Sequence, residues 1–147
     1  MDIRQAGIGD LEEAAELFNA YRMFYEQPSD AEGARTYIRD RLVNEESVIF
    51  IARKDGASVG FAQLYPVFSS IAMRKSWILN DMFVHPDARN LGIGQRLLDS
   101  VKAYADETGA KSIVLETAPD NYGARKLYEK NGYVRDTGFY HYELSLD

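Results

Sequence analysis

Asn80-Asp81-Met82-Phe83-Val84-His85-Pro86-Asp87-Ala88-Arg89-Asn90-Leu91-Gly92-Ile93-Gly94-Gln95-Arg96-Leu97-Leu98 is the stretch that decides the fold. It closes the apolar run Ser76–Val84, which reads as a strand stopped by His85-Pro86. From Gly92 to Thr108 the period becomes helical, with Ile93, Leu97, Leu98, Val101 and Tyr104 as the apolar stripe and Gly109 as the C-cap. Glycines where a helix starts let the backbone approach a ligand closely. The unpaired N–H groups there, with the helix dipole, attract anions. Arg89 adds a cation beside them. These features predict phosphate binding by the backbone of Asn90 to Gln95; a tight turn with no ligand is the plainer alternative. The dinucleotide fingerprint G-x-G-x-x-G is excluded, because Leu97 stands where its third glycine would be. The nucleotide P-loop is excluded too, since no Gly-Lys-Ser or Gly-Lys-Thr occurs.

Outward from this unit, strands and helices alternate. Ile3–Ala6 reads as a short first strand, and Asp10 as an N-cap. A helix follows with Leu11, Ala14, Ala15, Leu17, Phe18, Tyr21, Phe24 and Tyr25 at helical spacing. Pro28-Ser29-Asp30 breaks it and starts a second helix, to about Val43. Ser47–Arg53 and Ser58–Val67 read as a hairpin around Lys54-Asp55-Gly56, with Pro66 ending or bending the second strand. Ser69–Lys75 reads as a loop. Ser112–Glu116 reads as a buried strand and Asn121–Lys130 as a short helix. Tyr133–Asp136 and Phe139–Leu146 read as two final strands. The order predicts one domain over 1–147, of mixed α/β (α+β) class, with helices flanking a mostly antiparallel sheet.

Composition narrows the chemistry. The chain has 147 residues, 46% of them hydrophobic, enough for a sizeable core. It has no cysteine, so disulfides, thiolate metal sites and cysteine nucleophiles are excluded. Two histidines are too few for a histidine-rich metal site, and no metal is expected. The net charge of -6 argues against nucleic acid as the main partner. It suits a cationic amine, or serves solubility alone. No signal peptide or membrane-spanning run is visible, so a cytoplasmic location and no membrane partner are expected.

Two motifs then carry a resemblance. Arg89-x-x-Gly92-x-Gly94 is similar to the coenzyme A loop R/Q-x-x-G-x-G/A of the GCN5-related N-acetyltransferase (GNAT) family. Asn121-x-x-Ala124-x-x-Leu127-Tyr128-Glu129-Lys130-Asn131-Gly132-Tyr133 resembles that family's second signature. Their order and spacing match as well, over roughly Ser76 to Tyr133. The wider pattern looks closest to small microbial members compared with histone and polyamine acetyltransferases.

The resemblance implies acetyl transfer from acetyl-CoA to a primary amine of a small molecule or peptide, polyamine-like acceptors included, in a ternary complex. It implies a gap between the strand Asn80–Val84 and the strand Ile113–Glu116 that takes the pantetheine arm. Met82, Phe83 and Val84 would line that arm, and the Met82 N–H would face the thioester oxygen. Arg89, Asn90, Leu91, Gly92, Ile93, Gly94 and Gln95 would hold the pyrophosphate. Asn121, Ala124 and Tyr128 complete the cofactor set, with Asn121 alternatively a plain N-cap. Tyr128 would protonate the departing thiolate, a step a phenol can serve. The base is open between Asp81 and Glu116. Asn80 stands where polyamine acetyltransferases carry the first acid of a pair, and strand alternation puts Asn80 and Asp81 on opposite faces. Tyr25, Asn80, Asp81 and Glu116 are the expected acceptor contacts, with Tyr21, Phe24 and Glu26 nearby and Tyr140 as a weaker wall residue; Phe24 could instead close the core. His85 is expected to be a loop residue, and His141 to serve packing or an interface. A non-catalytic acyl-CoA sensor would carry the same cofactor motifs. The final strands could pair or exchange between copies, so a homodimer is also expected as an option.

Overall fold

The structure is a computed structural model and describes residues 1–147. It divides into two compact units, Met1–Glu116 and Thr117–Asp147. The first holds β1 (Asp2–Gln5), α1 (Leu11–Phe24), α2 (Ala31–Val43), β2 (Val48–Lys54), β3 (Ala57–Ser69), β4 (Arg74–Val84), α3 (Ile93–Glu107) and β5 (Ile113–Val114). The second holds α4 (Tyr122–Lys130). No helix is long and apolar enough to cross a membrane.

The first unit is a five-stranded sheet in the order β1-β2-β3-β4-β5. Every pairing is antiparallel except β4 with β5. This is the predicted mixed α/β architecture. Strand alternation gives the sheet two faces. Ile49, Ile51, Phe61 and Phe83 pack with Leu11, Ala14 and Leu17 of α1 and Ile38 of α2. On the other face α3 brings Tyr104 against Phe50 and Trp77, with ring centroids 5.7 and 5.4 Å away. The α3 stripe Ile93, Leu97, Leu98 and Val101 is buried, as its period predicts.

The helix starts follow local chemistry. The Asp30 side chain accepts from the Gly33 N–H at 2.9 Å and caps α2. Asp10 does hold the N-cap position of α1, but its carboxylate does not cap the helix. It accepts instead from the Gly7 N–H at 2.9 Å and pairs with Arg4 and Arg53.

The hairpin of β3 and β4 is longer than expected. β3 runs through Pro66 to Ser69, and β4 begins at Arg74, so the loop predicted over Ser69–Lys75 shrinks to a tight turn. Pro66 is tolerated for a specific reason. β2 pairs with β3 only as far as Leu64, so Pro66 has a neighbour on one side alone. Its partner Trp77 donates its N–H to Ser112 O of the opposite neighbour, so the pair needs no donor from Pro66.

The second unit corrects a further expectation. Neither Tyr133–Asp136 nor Phe139–Leu146 forms a strand. Their apolar alternation is real, but alternation does not supply a ladder partner, and this unit contains only a helix beside them. Phe139, Tyr140, Tyr142, Leu144 and Leu146 are exposed. His141 is likewise exposed, 3.8 Å from Asp136, and packs against no core.

Candidate active site

β5 is two residues long and pairs only Ile113 with Trp77 and Val114 with Ile78. The strand predicted to Glu116 therefore stops early, and β4 runs on beyond it from Leu79 to Val84. The direction of its free edge follows from hydrogen-bond alternation. The His85 N–H donates to Val59 O at 2.7 Å, across to β3. Phe83 opposite Phe61 is then also a bonded pair, while Met82 opposite Ala62 and Val84 opposite Gly60 are not. The N–H and C=O groups of Met82 and Val84 consequently point away from β3, into the gap where β5 has ended. Arg89 gives independent support: its Nε–H donates to Val84 O at 3.1 Å from that side.

A bulge produces this parity. The register shifts between Gln63 and Leu64, which face Asp81 and Leu79, leaving Asn80 as the extra residue. Upstream, the Trp77 N–H points toward β5. Without the bulge, the odd-numbered residues would keep that direction to the strand's end. Gly60 keeps β3 close at this point, since a Cβ there would sit 2.7 Å from Phe83 O.

The glycine loop follows at the same end of β4. Asn90 (φ 63) and Gly92 (φ 78) both occupy the left-handed region. Gly92 is the N-cap of α3 and supplies no side-chain cap. The helix proper starts at Ile93, one residue later than predicted. Left-handed backbone at a helix start is one of the conformations from which N–H groups can turn toward an anion. The Arg89 guanidinium also lies 4.7 Å over the Phe24 ring. Phe24 is half-exposed there and does not close the core.

Asp81 is 5% exposed. Gln63 Nε2 donates to its Oδ2 at 2.7 Å, and Asn80 Nδ2 to its Oδ1 at 3.2 Å. The Tyr21 hydroxyl also hydrogen-bonds it. Burial outweighs these donors and pushes the Asp81 carboxyl above the usual aspartate range. Alternation alone would separate Asn80 from Asp81; the bulge brings their side chains together. Tyr21 stacks edge-on against Phe61, Phe83 and Tyr25, at 5.6, 6.1 and 5.1 Å. Tyr25 itself is exposed. Burial also pushes the Tyr65 hydroxyl up; it shares a 2.7 Å hydrogen bond with Tyr37 of α2. Glu116 is exposed and lies beyond β5, in no element. His85 is a loop residue whose Nδ1 accepts from the Asp87 N–H at 3.4 Å.

The second unit holds the remaining candidates. Asn121 caps α4, its side chain accepting from the Ala124 N–H at 3.3 Å. Tyr128 lies on the same helix as Ala124, with its ring centroid 5.8 Å from that of Tyr133. The Tyr133 hydroxyl is buried without a hydrogen-bond partner, and burial pushes it up to about 12.

Sequence reasoning passed over Gln63 and Ser47. Their signal was a polar residue inside the apolar run Phe61-Ala62-Gln63-Leu64, on the side shared by Phe61 and Tyr65.

Comparison with known proteins identifies the family. The model of the acetyltransferase (GNAT) family matches residues 14–133. A Bacillus subtilis (strain 168) protein named as an uncharacterised N-acetyltransferase, YhfO, is 53% identical over 146 residues, covering 99% of this chain and 98% of that one. A crystal structure of a probable acetyltransferase superposes with a TM-score of 0.95 at 40% identity, covering 100% of this chain and 99% of the other. The ribosomal-protein-alanine N-acetyltransferase of Brucella melitensis biovar Abortus 2308 superposes with a TM-score of 0.78 at 26% identity, covering 98% and 100%. The chain belongs to the GNAT acetyltransferase family and is an acetyltransferase.

Proposed function

We propose that the chain moves an acetyl group from acetyl-coenzyme A to a primary amine by direct transfer in a ternary complex. One observation carries the reading: the bulge at Asn80 turns the Met82 and Val84 backbone toward the open side of β4, beside a left-handed loop suited to phosphate. An extended pantetheine arm would add there as a strand does, by main-chain hydrogen bonds. The backbone of Asn90–Gln95 would take the pyrophosphate. Arg89 spends one N–H on Val84 O, and its other N–H groups remain for the same anion.

The chemistry follows from these groups. The amine nitrogen attacks the thioester carbonyl carbon, and the carbonyl oxygen becomes an oxyanion. The Met82 N–H stabilises that charge. Asp81 takes up the proton the ammonium must lose, directly or through water; a carboxyl raised by burial is a stronger base than a solvated one. The C–S bond then breaks and the thiolate receives a proton from Tyr128; the second proton of the attacking nitrogen, lost as the amide forms, restores the Tyr128 phenol through water. Asn80 and Asp81, with Tyr25 near the end of α1, form the acceptor side. A cationic amine would also find ring faces there. The Brucella relative is named for acting on a protein's alanine, and a peptide amine fits the same chemistry.

The test is coenzyme A thiol release with polyamines, amino acids, aminoglycosides and lysine peptides as acceptors. Release that depends on an added amine supports transfer. Saturable acetyl-coenzyme A binding without release on any amine contradicts it and favours a sensor.

A further inference from the structure

Gln63 lies in the middle of β3, fully buried at 0% exposure. A buried amide is costly unless its groups are paired. Here Ser47 Oγ donates to Gln63 Oε1 at 2.9 Å, and Gln63 Nε2 donates to Asp81 Oδ2 at 2.7 Å. An ionised carboxylate accepts only, so it fixes which end of the amide faces it. The Ser47 hydroxyl then fixes the other end. The chain of donors therefore runs one way, from Ser47 through Gln63 to Asp81. Gln63 and Asp81 are also cross-strand partners at the bulge, so the backbone sets their approach. Oδ2 is thereby anchored to β3, while Oδ1 accepts from Asn80 at 3.2 Å and the Tyr21 hydroxyl adds a further hydrogen bond to the carboxylate.

We propose that Gln63, anchored by Ser47, is a positioning residue that orients the Asp81 carboxylate toward a cationic primary amine acceptor. This rests on the reading of Asp81 as the group that meets the amine. The partly exposed Tyr21 ring stands beside Asp81 on the same side of the sheet and suits an ammonium. The other titratable or charged groups that act on Asp81 or its neighbours are Tyr21 on α1, Tyr37 and Arg41 on α2, and Tyr65 on β3. A carboxylate held this way attracts an ammonium by charge and can take up the proton it must lose.

The test compares the parent with Gln63→Met, Ser47→Ala, Asp81→Asn and the Gln63→Met/Asp81→Asn pair. Spermidine, an alanine-terminated peptide and kanamycin serve as acceptors at saturating acetyl-coenzyme A. Gln63→Met should lower kcat/KM for the amine the parent uses by about 10-fold, the size of one charge-assisted hydrogen bond. The KM for acetyl-coenzyme A should stay within about twofold. The Asp81 carboxyl carbon, followed by NMR, should titrate about one pH unit higher, since a lost donor favours the protonated form. Ser47→Ala should move both readouts the same way by less, and it decides the matter if Gln63→Met does not fold. In the Asp81→Asn background, Gln63→Met should change kcat/KM no further. A lower melting temperature with unchanged kcat/KM and titration makes Gln63 merely structural and overturns the proposal. If Asp81→Asn itself leaves transfer unchanged, the Asp81 reading fails and takes the proposal with it. If Asp81→Asn cripples transfer and Gln63→Met does not, the proposal alone fails. No turnover of any of the three amines by the parent overturns both.

Discussion

Gly92→Ala tests the part proposed for the loop backbone in cofactor binding. Gly92 sits at φ 78 at the start of α3. A Cβ built there meets nothing within 4 Å. The penalty is therefore backbone strain and not a clash. A side chain in left-handed backbone costs roughly 1–2 kcal/mol. That energy can appear in either of two places. If the loop holds its conformation, folding bears the cost, and the melting temperature falls by about 2–8 °C at roughly 2–4 °C per kcal/mol for this size. If the loop relaxes into right-handed backbone, the N–H groups of Asn90–Gln95 leave their array. Acetyl-coenzyme A affinity then falls by about 5–30-fold for the same energy. Thermal unfolding and isothermal titration calorimetry read the two. Asparagine tolerates left-handed backbone, so Gly92→Asn should recover most of the loss. Gly123 in α4 also has open space around it, without a positive φ. Gly123→Ala should therefore stabilise by about 1 kcal/mol and serves as a control of opposite sign. Unchanged melting and unchanged affinity in Gly92→Ala together would refute the reasoning.

Tyr128→Phe should lower kcat by about 100-fold or more while leaving acetyl-coenzyme A affinity close to the parent's, as loss of a proton donor does; calorimetry beside steady-state kinetics checks both. Asp81→Asn should cut transfer by roughly 10²–10⁴-fold without destabilising the fold at pH 7. Burial raises the Asp81 carboxyl above 3.8, so the ionised form weakens the folded state once pH exceeds that value, and the amide removes the penalty. Its stability advantage should shrink toward pH 4, and a variant that instead loses stability at pH 7 contradicts the sign. Asp10 is the opposite case: the Gly7 N–H, with Arg4 and Arg53 beside it, holds its carboxyl below 3.8. Its contribution is present above that value and lost as pH falls further, so Asp10→Asn should flatten the acid limb of a melting-temperature profile.

What was legible in the chain divides along physical lines. The β4–loop–α3 unit was readable because its signals are local. A β-rich run, a proline stop, a left-handed glycine and a helical stripe each act within a few residues. The helix break and restart at Pro28-Ser29-Asp30 and the turn at Gly56 were local in the same way. The bulge at Asn80 was not legible, because it is a mismatch between two strands and neither strand carries it alone. With the bulge hidden, Asn80 and Asp81 were assigned to opposite faces, and the Gln63–Asp81 pair went unseen. Pro66 misled for a related reason: its cost depends on whether a neighbouring strand needs its missing N–H, and here none does. The Phe139–Leu146 pattern promised a strand from side-chain alternation, but a strand exists only where a partner pairs with it. Tyr128 owed its assignment to a motif, since ten tyrosines offer no way to choose one by composition.

The most direct test of acetyl-coenzyme A binding along the open edge of β4 is an amide NMR titration of the protein with that ligand. The N–H signals of Met82 and Val84, together with those of Asn90 to Gln95, should shift saturably with one common dissociation constant. Amides of β1 and β2 should stay in place. Saturable shifts confined to other segments, with Met82 and the Asn90–Gln95 loop unmoved, would contradict the account.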